Sequence, residues 1–232
     1  MIAERAGGQG LIHVAGVIDA AEAEMLIDCG FTHLGFPLVL DHHAEDLSPE
    51  AAGAIVAALG ARATFFLITY LSEATNIAAL AGKLQVGMVQ LHGEIAPTEL
   101  RRLRALVPHL RIIKSLIVRG DNLEALIEEV GRLAPLVDSF ITDTFDPLTG
   151  ARGATGKTHD RAVSRRLVEA SPKPVILAGG LNPGNLREAV LAVRPAGVDV
   201  HTGIEGLDGR KRRDLSSRFV AEARTAFAEI GG

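Results

Sequence analysis

Short apolar runs alternate along this chain with longer segments in which apolar residues return every three or four positions. The short runs fall at 11–17, 33–38, 63–69, 86–91, 111–116, 139–143, 174–177 and 198–201. They have the length of buried strands bounded by turn residues. The segments 20–29, 49–59, 73–81, 97–106, 122–133, 160–169, 184–193 and 211–228 carry the helical period. Ser48-Pro49-Glu50 sets a capping hydroxyl before a proline at the first helical position, and Asn182-Pro183 repeats the signal. Eight strands alternating with eight helices predict an α/β protein with a parallel sheet. At 232 residues, a single (β/α)8 TIM barrel is favoured over an open sheet. We expect residues 1–10, with three glycines, to be a flexible leader and 11–232 to form the barrel domain.

The last two predicted strands run into glycine-bearing turns, Ala178-Gly179-Gly180-Leu181-Asn182-Pro183 and Asp199-Val200-His201-Thr202-Gly203-Ile204-Glu205. Glycine lets backbone N–H groups approach a ligand, and a following helix N-terminus favours an anion. In a barrel, such turns after strands seven and eight form a phosphate cup. Gly179, Gly180, Thr202 and Gly203 are therefore expected to bind phosphate. The longest irregular stretch, 144–158, follows strand six and is read as a lid.

Composition narrows the partners. A formal net charge of -4 gives no reason to expect nucleic acid or an anionic membrane surface. No stretch approaches the roughly 18 apolar residues of a membrane span, and nothing before Leu11 resembles a signal peptide. The one cysteine, Cys29, fits a reducing cytosol and a cytoplasmic protein. It stands at the end of the first helix, where a small buried side chain is expected, far from the strand tops.

Several motifs, taken in order, resemble phosphoribosylanthranilate isomerase, the barrel isomerase of tryptophan biosynthesis. They are Val89-Gln90-Leu91-His92-Gly93-Glu94, Ile112-Ile113-Lys114, Thr142-Asp143-Thr144, Gly153-Ala154-Thr155-Gly156-Lys157 and the two glycine turns. The resemblance runs from about residue 12 to 219. It implies a barrel of the ribulose-phosphate-binding type, a 5-phosphorylated ribosyl ligand, an Amadori-type aldose-ketose isomerisation, and no metal or organic cofactor. It also implies a monomer or homodimer. Asp143 takes the place of the family's catalytic acid, and His92, Gly156, Asp199 and His201 fall where substrate contacts are expected.

Two departures from the family pattern touch the chemistry. The family's first strand reads Lys-Ile-Cys-Gly, with the cysteine as general base, whereas this chain reads His13-Val14-Ala15-Gly16. The family's arginine for the anthranilate carboxylate lies in a loop after strand two. That loop is here Asp41-His42-His43-Ala44-Glu45-Asp46, without Arg or Lys.

His13 lies two residues before Ala15 and so also points inward, about 6–7 Å deeper. It is either the replacement base or a buried histidine of the barrel floor. His201, two after Asp199, is either a second candidate base or a donor on the phosphate side. His42 and His43 read as a substrate-recognition or solvated loop in preference to a metal site, because neighbours on an extended segment face opposite ways. Lys114 is expected to approach the ligand or to pair with Asp143 or Asp199. The run Arg210-Lys211-Arg212-Arg213 is expected to be a solvated face opening the last helix.

Three functions remain in competition. The first is a phosphoribosylanthranilate isomerase-like enzyme with Asp143 as acid and His13 as the leading base. The others are a diverged, metal-assisted epimerase or lyase and a phosphosugar binder that has lost its base.

Overall fold

A computed structural model describes residues 10–40, 47–120, 122–144 and 160–231. Eight parallel strands close in sequence order: β1 (Leu11–Ala15), β2 (His33–Pro37), β3 (Thr64–Thr69), β4 (Met88–Leu91), β5 (Arg111–Val118), β6 (Ser139–Thr144), β7 (Val175–Leu177) and β8 (Gly197–Val200), with β8 pairing back onto β1. The helices α1 (Ala20–Cys29), α2 (Pro49–Leu59), α3 (Ala74–Leu84), α4 (Pro97–Leu106), α5 (Leu123–Leu133), α6 (Arg161–Ala170), α7 (Leu186–Val193) and α8 (Arg213–Gly231) alternate with them. The expected barrel is present. Asp19, Ser48 and Asp160 cap α1, α2 and α6 with side-chain oxygens on first-turn amides, satisfying donors that the helix itself leaves open.

The period of two along each strand divides the apolar residues into two layers. Ile12, Val14, Leu34, Phe36, Phe65, Leu67, Ile112 and Phe140 belong to the large cluster between strands and helices. Ala15, Phe66, Ile68, Met88, Ile113, Ile141, Ile176 and Ala178 form a second cluster that fills the barrel. The filling is tight around Phe66, which is fully buried. Ala15, Gly35 and Phe66 stand in register on β1, β2 and β3. A Cβ on Gly35 would lie 2.7 Å from the Phe66 ring, so two small residues make room for the large one.

Several boundaries differ from the sequence reading for local reasons. β1 ends at Ala15 because Gly16 turns to φ +76°, a conformation that glycine adopts without a Cβ clash. The amides of Gly16 and Val17 then share the Gly35 carbonyl at 3.1 and 3.3 Å. β8 spans Gly197–Val200, leaving His201 to cap a 3-10 turn at Thr202–Ile204. α7 starts two residues late because Asn182 and Asn185 first build a turn: Asn182 Oδ1 accepts from Gly184 N and Asn185 Oδ1 from Asn182 N.

α8 starts at Arg213; Arg210, Arg212 and Arg213 are exposed, as expected of a solvated face, and only Lys211 departs from that expectation. Lys211 is 6% exposed and bridges to Glu205, Arg210 pairs with Asp19 at 2.6 Å, and Arg212 with Asp214 at 3.0 Å. Cys29 is only half buried, packed near Met25 and Ser217 at the foot of the barrel.

Candidate active site

The inward positions at the C-terminal ends of the strands carry the polar groups of the mouth. Asp143, next to last in β6, is 13% exposed. His92 follows β4 and places Nδ1 3.8 Å from Asp143 Oδ2 and 3.1 Å from Ser115 Oγ. Gln90 Nε2 donates to the same Ser115 oxygen, and Tyr70 meets the His92 ring edge-on at 4.8 Å between centroids. Ser115 thus fixes two neighbouring side chains. Burial raises the Asp143 carboxyl above the usual carboxylate range, opposed by His92 and by the Thr144 amide that donates to Oδ1. A carboxyl group shifted in that direction keeps a proton to give.

Asp199 lies on the inward face of β8, 8% exposed. Its carboxyl is pushed up to about 8, chiefly by burial and then by the charge of Asp143, with Lys211 pulling the other way. It is therefore a neutral acid near pH 7, able to donate a hydrogen bond. Among the described residues its Oδ1 has no hydrogen-bond partner.

The two glycine turns meet. Gly179 and Gly180 take φ +101° and +62°, and Asn185 Nδ2 holds the Gly180 carbonyl at 2.9 Å. Gly203 lies so close to the Leu181 carbonyl that a Cβ there would overlap it. The β7 and β8 loops therefore meet backbone to backbone, an approach that any side chain at 203 would block. Successive turn amides of this kind make anion-binding concavities.

Beside these turns, on the β8–β1 side of the mouth, the His201 imidazole rests on Gly16. A Cβ on Gly16 would overlap Nε2 and come within 2.6 Å of Cδ2. His201 Nε2 is 3.6 Å from Glu205 Oε1, and the ring is 29% exposed. Lys211 Nζ, 1% exposed, donates to Glu205 Oε1 at 2.6 Å and to the Gly16 carbonyl at 3.3 Å. The Lys211 amide in turn donates to Glu22 Oε1, whose second oxygen accepts from Ile18 N. The turn after β1 and the turn after β8 are thereby tied together.

His13 does not join this group. It is completely buried, its ring stacked on His33 at 4.8 Å and tilted against Phe66 at 5.2 Å between centroids. Burial, then His33 and Arg111, hold its pKa well below the usual imidazole value, and burial with Arg111 takes His33 to about 4. The burial is that of a floor histidine, although among the described residues neither ring nitrogen has a hydrogen-bond partner. Lys114 falls on the outward-facing set of β5 positions, and its Nζ donates to the Ser115 carbonyl at 2.7 Å. His42, His43, Gly156 and the lid at 144–158 beyond Thr144 lie outside the described residues.

Ser115, Tyr70, Glu205 and Lys211 were given no site role by the sequence. Only the inward parity of Ser115 on β5 could have signalled one. Val39, just after β2, is a further surprise. It holds φ +55°, rare for a β-branched residue, with its carbonyl accepting from Tyr70 N and Thr69 Oγ1.

A closed parallel barrel with glycine turns packed together after its last two strands and buried carboxyl groups at the C-terminal ends of its strands has the build of a (β/α)8 enzyme. A family model described as N-(5'-phosphoribosyl)anthranilate (PRA) isomerase matches residues 44–222. N-(5'-phosphoribosyl)anthranilate isomerase 2 of Methanosarcina mazei is 33% identical over 94% of this chain and 96% of its own length. The isomerase of Haloferax volcanii is 38% identical over 80% and 79%. The crystal structure of phosphoribosylanthranilate isomerase from Thermotoga maritima superimposes with a TM-score of 0.79 at 26% identity, covering 94% of this chain and all of that one. The chain belongs to the phosphoribosylanthranilate isomerase family.

Proposed function

We propose that this chain isomerises N-(5'-phosphoribosyl)anthranilate to the corresponding 1-arylamino-1-deoxyribulose 5-phosphate, with Asp143 as general acid. The observation that carries the reading is the Asp143 carboxyl at the end of β6, 13% exposed and 3.8 Å from His92 Nδ1 at the mouth of the barrel. The phosphate sits in the cup, on the backbone of Gly179, Gly180, Thr202 and Gly203, and the sugar extends from there across the mouth.

Asp143 gives its proton to the ring oxygen. The C1–O bond breaks, and the nitrogen lone pair forms the C1=N iminium. A base then takes the proton from C2. The C2–H electron pair becomes the C1=C2 bond, and the iminium π pair returns to nitrogen. The resulting enol loses its hydroxyl proton as C1 gains one, giving the ketose. Electrons move only within the substrate, so the reaction calls for no cofactor. Asp199, protonated at neutral pH, donates to a sugar hydroxyl, and His92 contacts the ligand beside Asp143.

No described helix is long and apolar enough to cross a membrane, and we place the reaction in the cytoplasm, where sugar phosphates are retained by their charge. The Thermotoga maritima relative is dimeric and has been made monomeric. This chain is proposed to work as a monomer or a homodimer.

Loss of anthranilate-type fluorescence on mixing the protein with N-(5'-phosphoribosyl)anthranilate tests the reading. Turnover is expected, and Asp143→Asn should lower kcat by about 10²–10⁴-fold while inorganic phosphate still protects against thermal unfolding. Ala15 favours a second reading, a phosphosugar binder without a base. Phosphate protection with no turnover in the unaltered protein would establish that reading and overturn the first.

A further inference from the structure

We propose that His201 is the general base of this isomerase, replacing from β8 the proton acceptor that Ala15 cannot supply on β1. The inference rests on the isomerase reading above and adds the missing half of its acid/base pair.

Four observations place the imidazole where the reaction needs it. First, the ring lies directly on Gly16, the residue after Ala15, in space that any Cβ at that position would take. Second, it stands on the β8–β1 side of the mouth, whereas Asp143 and its neighbour His92 stand on the β4–β6 side. Acid and base therefore come from different strands of the same rim, as protonation of the ring oxygen and removal of the C2 proton require. Third, the ring is 29% exposed, so it is open to a ligand, unlike the fully buried His13.

The fourth observation is the support beneath it. Glu205 Oε1 lies 3.6 Å from Nε2, and Lys211 pins that carboxylate at 2.6 Å while holding the Gly16 carbonyl at 3.3 Å. Ring, carboxylate and the turn under the ring are thus fixed by one buried ammonium. When the imidazole takes the C2 proton, Glu205 stabilises the imidazolium that forms, and Lys211 keeps the carboxylate oriented. The proton held on His201 is then available to return to C1 as the enol becomes the ketone. Next to the phosphate cup, the base reaches the sugar end of the ligand without touching the aromatic ring.

The test compares His201→Ala and His201→Gln with the unaltered protein. Turnover by the unaltered protein is measured first; its absence would sink the isomerase reading and this inference with it, whereas the variants test this inference alone. Both variants should lose about 10²–10⁴-fold in kcat with phosphate protection against thermal unfolding unchanged. Added imidazole should restore part of the His201→Ala rate. Introducing Ala15→Cys into the His201→Gln chain should restore turnover from β1. Retention of kcat within fivefold in both variants would overturn the assignment. So would loss of phosphate protection together with activity and no rescue by imidazole or Ala15→Cys, since that result would make His201 a phosphate-side donor.

Discussion

Replacing Asp199 with asparagine should make the protein more stable, by an amount that grows with pH. In the folded chain this carboxyl is pushed up to about 8 by burial and by the neighbouring Asp143, whereas in the unfolded chain it ionises at about 3.9. Between those values the unfolded state has released a proton that the folded state still holds. The stability of the unaltered protein is therefore fully present below pH ~4 and declines as pH rises, by about 1.4 kcal/mol per pH unit for this one group. From pH 5 to pH 7 the loss is about 3 kcal/mol, a large part of the roughly 5–15 kcal/mol that a domain commands. Asparagine keeps the shape, offers an N–H where the acid offers O–H, and does not titrate. The stability difference between Asp199→Asn and the parent should thus widen between about pH 4.5 and 7.5 and level off above about 8. The chain has no tryptophan and one tyrosine, so urea unfolding followed by circular dichroism at a series of pH values is the suitable assay. Repeating the comparison with Asp143→Asn in both chains should move the plateau to lower pH, because the second cause of the shift is gone. A difference that does not change with pH in either background would refute the reasoning. It would mean that Asp199 is ionised in the folded protein and held by Lys211.

Two further substitutions probe the loops. Gly203→Ala sets a Cβ against the Leu181 carbonyl, forcing the β7 and β8 turns apart. It should cost about 1–3 kcal/mol of stability and raise KM for the phosphorylated substrate while sparing an equally truncated, phosphate-free ligand, as titration and steady-state kinetics would show. Gly16→Ala meets both a positive φ and the His201 ring. Its effect on kcat should be large in the parent and smaller in the His201→Ala background, where only the strained φ remains, a non-additivity that a double-mutant cycle measures; equal effects in both chains would mean that the ring and the turn are independent.

Much of the architecture was legible because the two periods, two along strands and 3.6 along helices, are written in apolar positions, and each of the eight β/α units repeats them. What escaped were ends and turns. β1 stops at Ala15 and β8 at Val200 because backbone geometry at Gly16 and His201 intervenes, and no apolar count reports a dihedral angle. Asp143 could be read from its place at the end of a strand, but its raised carboxyl could not, since that depends on how completely β4, β5 and β6 exclude water around it.

The reading of the basic run 210–213 as a solvated face holds for its three arginines and fails at Lys211, for an instructive reason. Four cations in a row look alike in sequence, yet Lys211 alone is carried inward by an antiparallel bridge to Glu205, 2.6 Å from its carboxylate. A lysine that buried is tolerated only with a partner, and its partner sits beside His201. The pair is therefore chemically continuous with the mouth, although its two members come from a motif reserved for phosphate and a segment assigned to the surface. His13 misled in the opposite direction. Parity placed it correctly inside the barrel, and only depth, marked by the contacts of its ring with His33 and Phe66, separates a floor residue from one at the opening. Inward parity selects candidates, but the barrel's axial coordinate decides among them. That coordinate is fixed by contacts between strands far apart in sequence, here β1 with β2, β3 and β8.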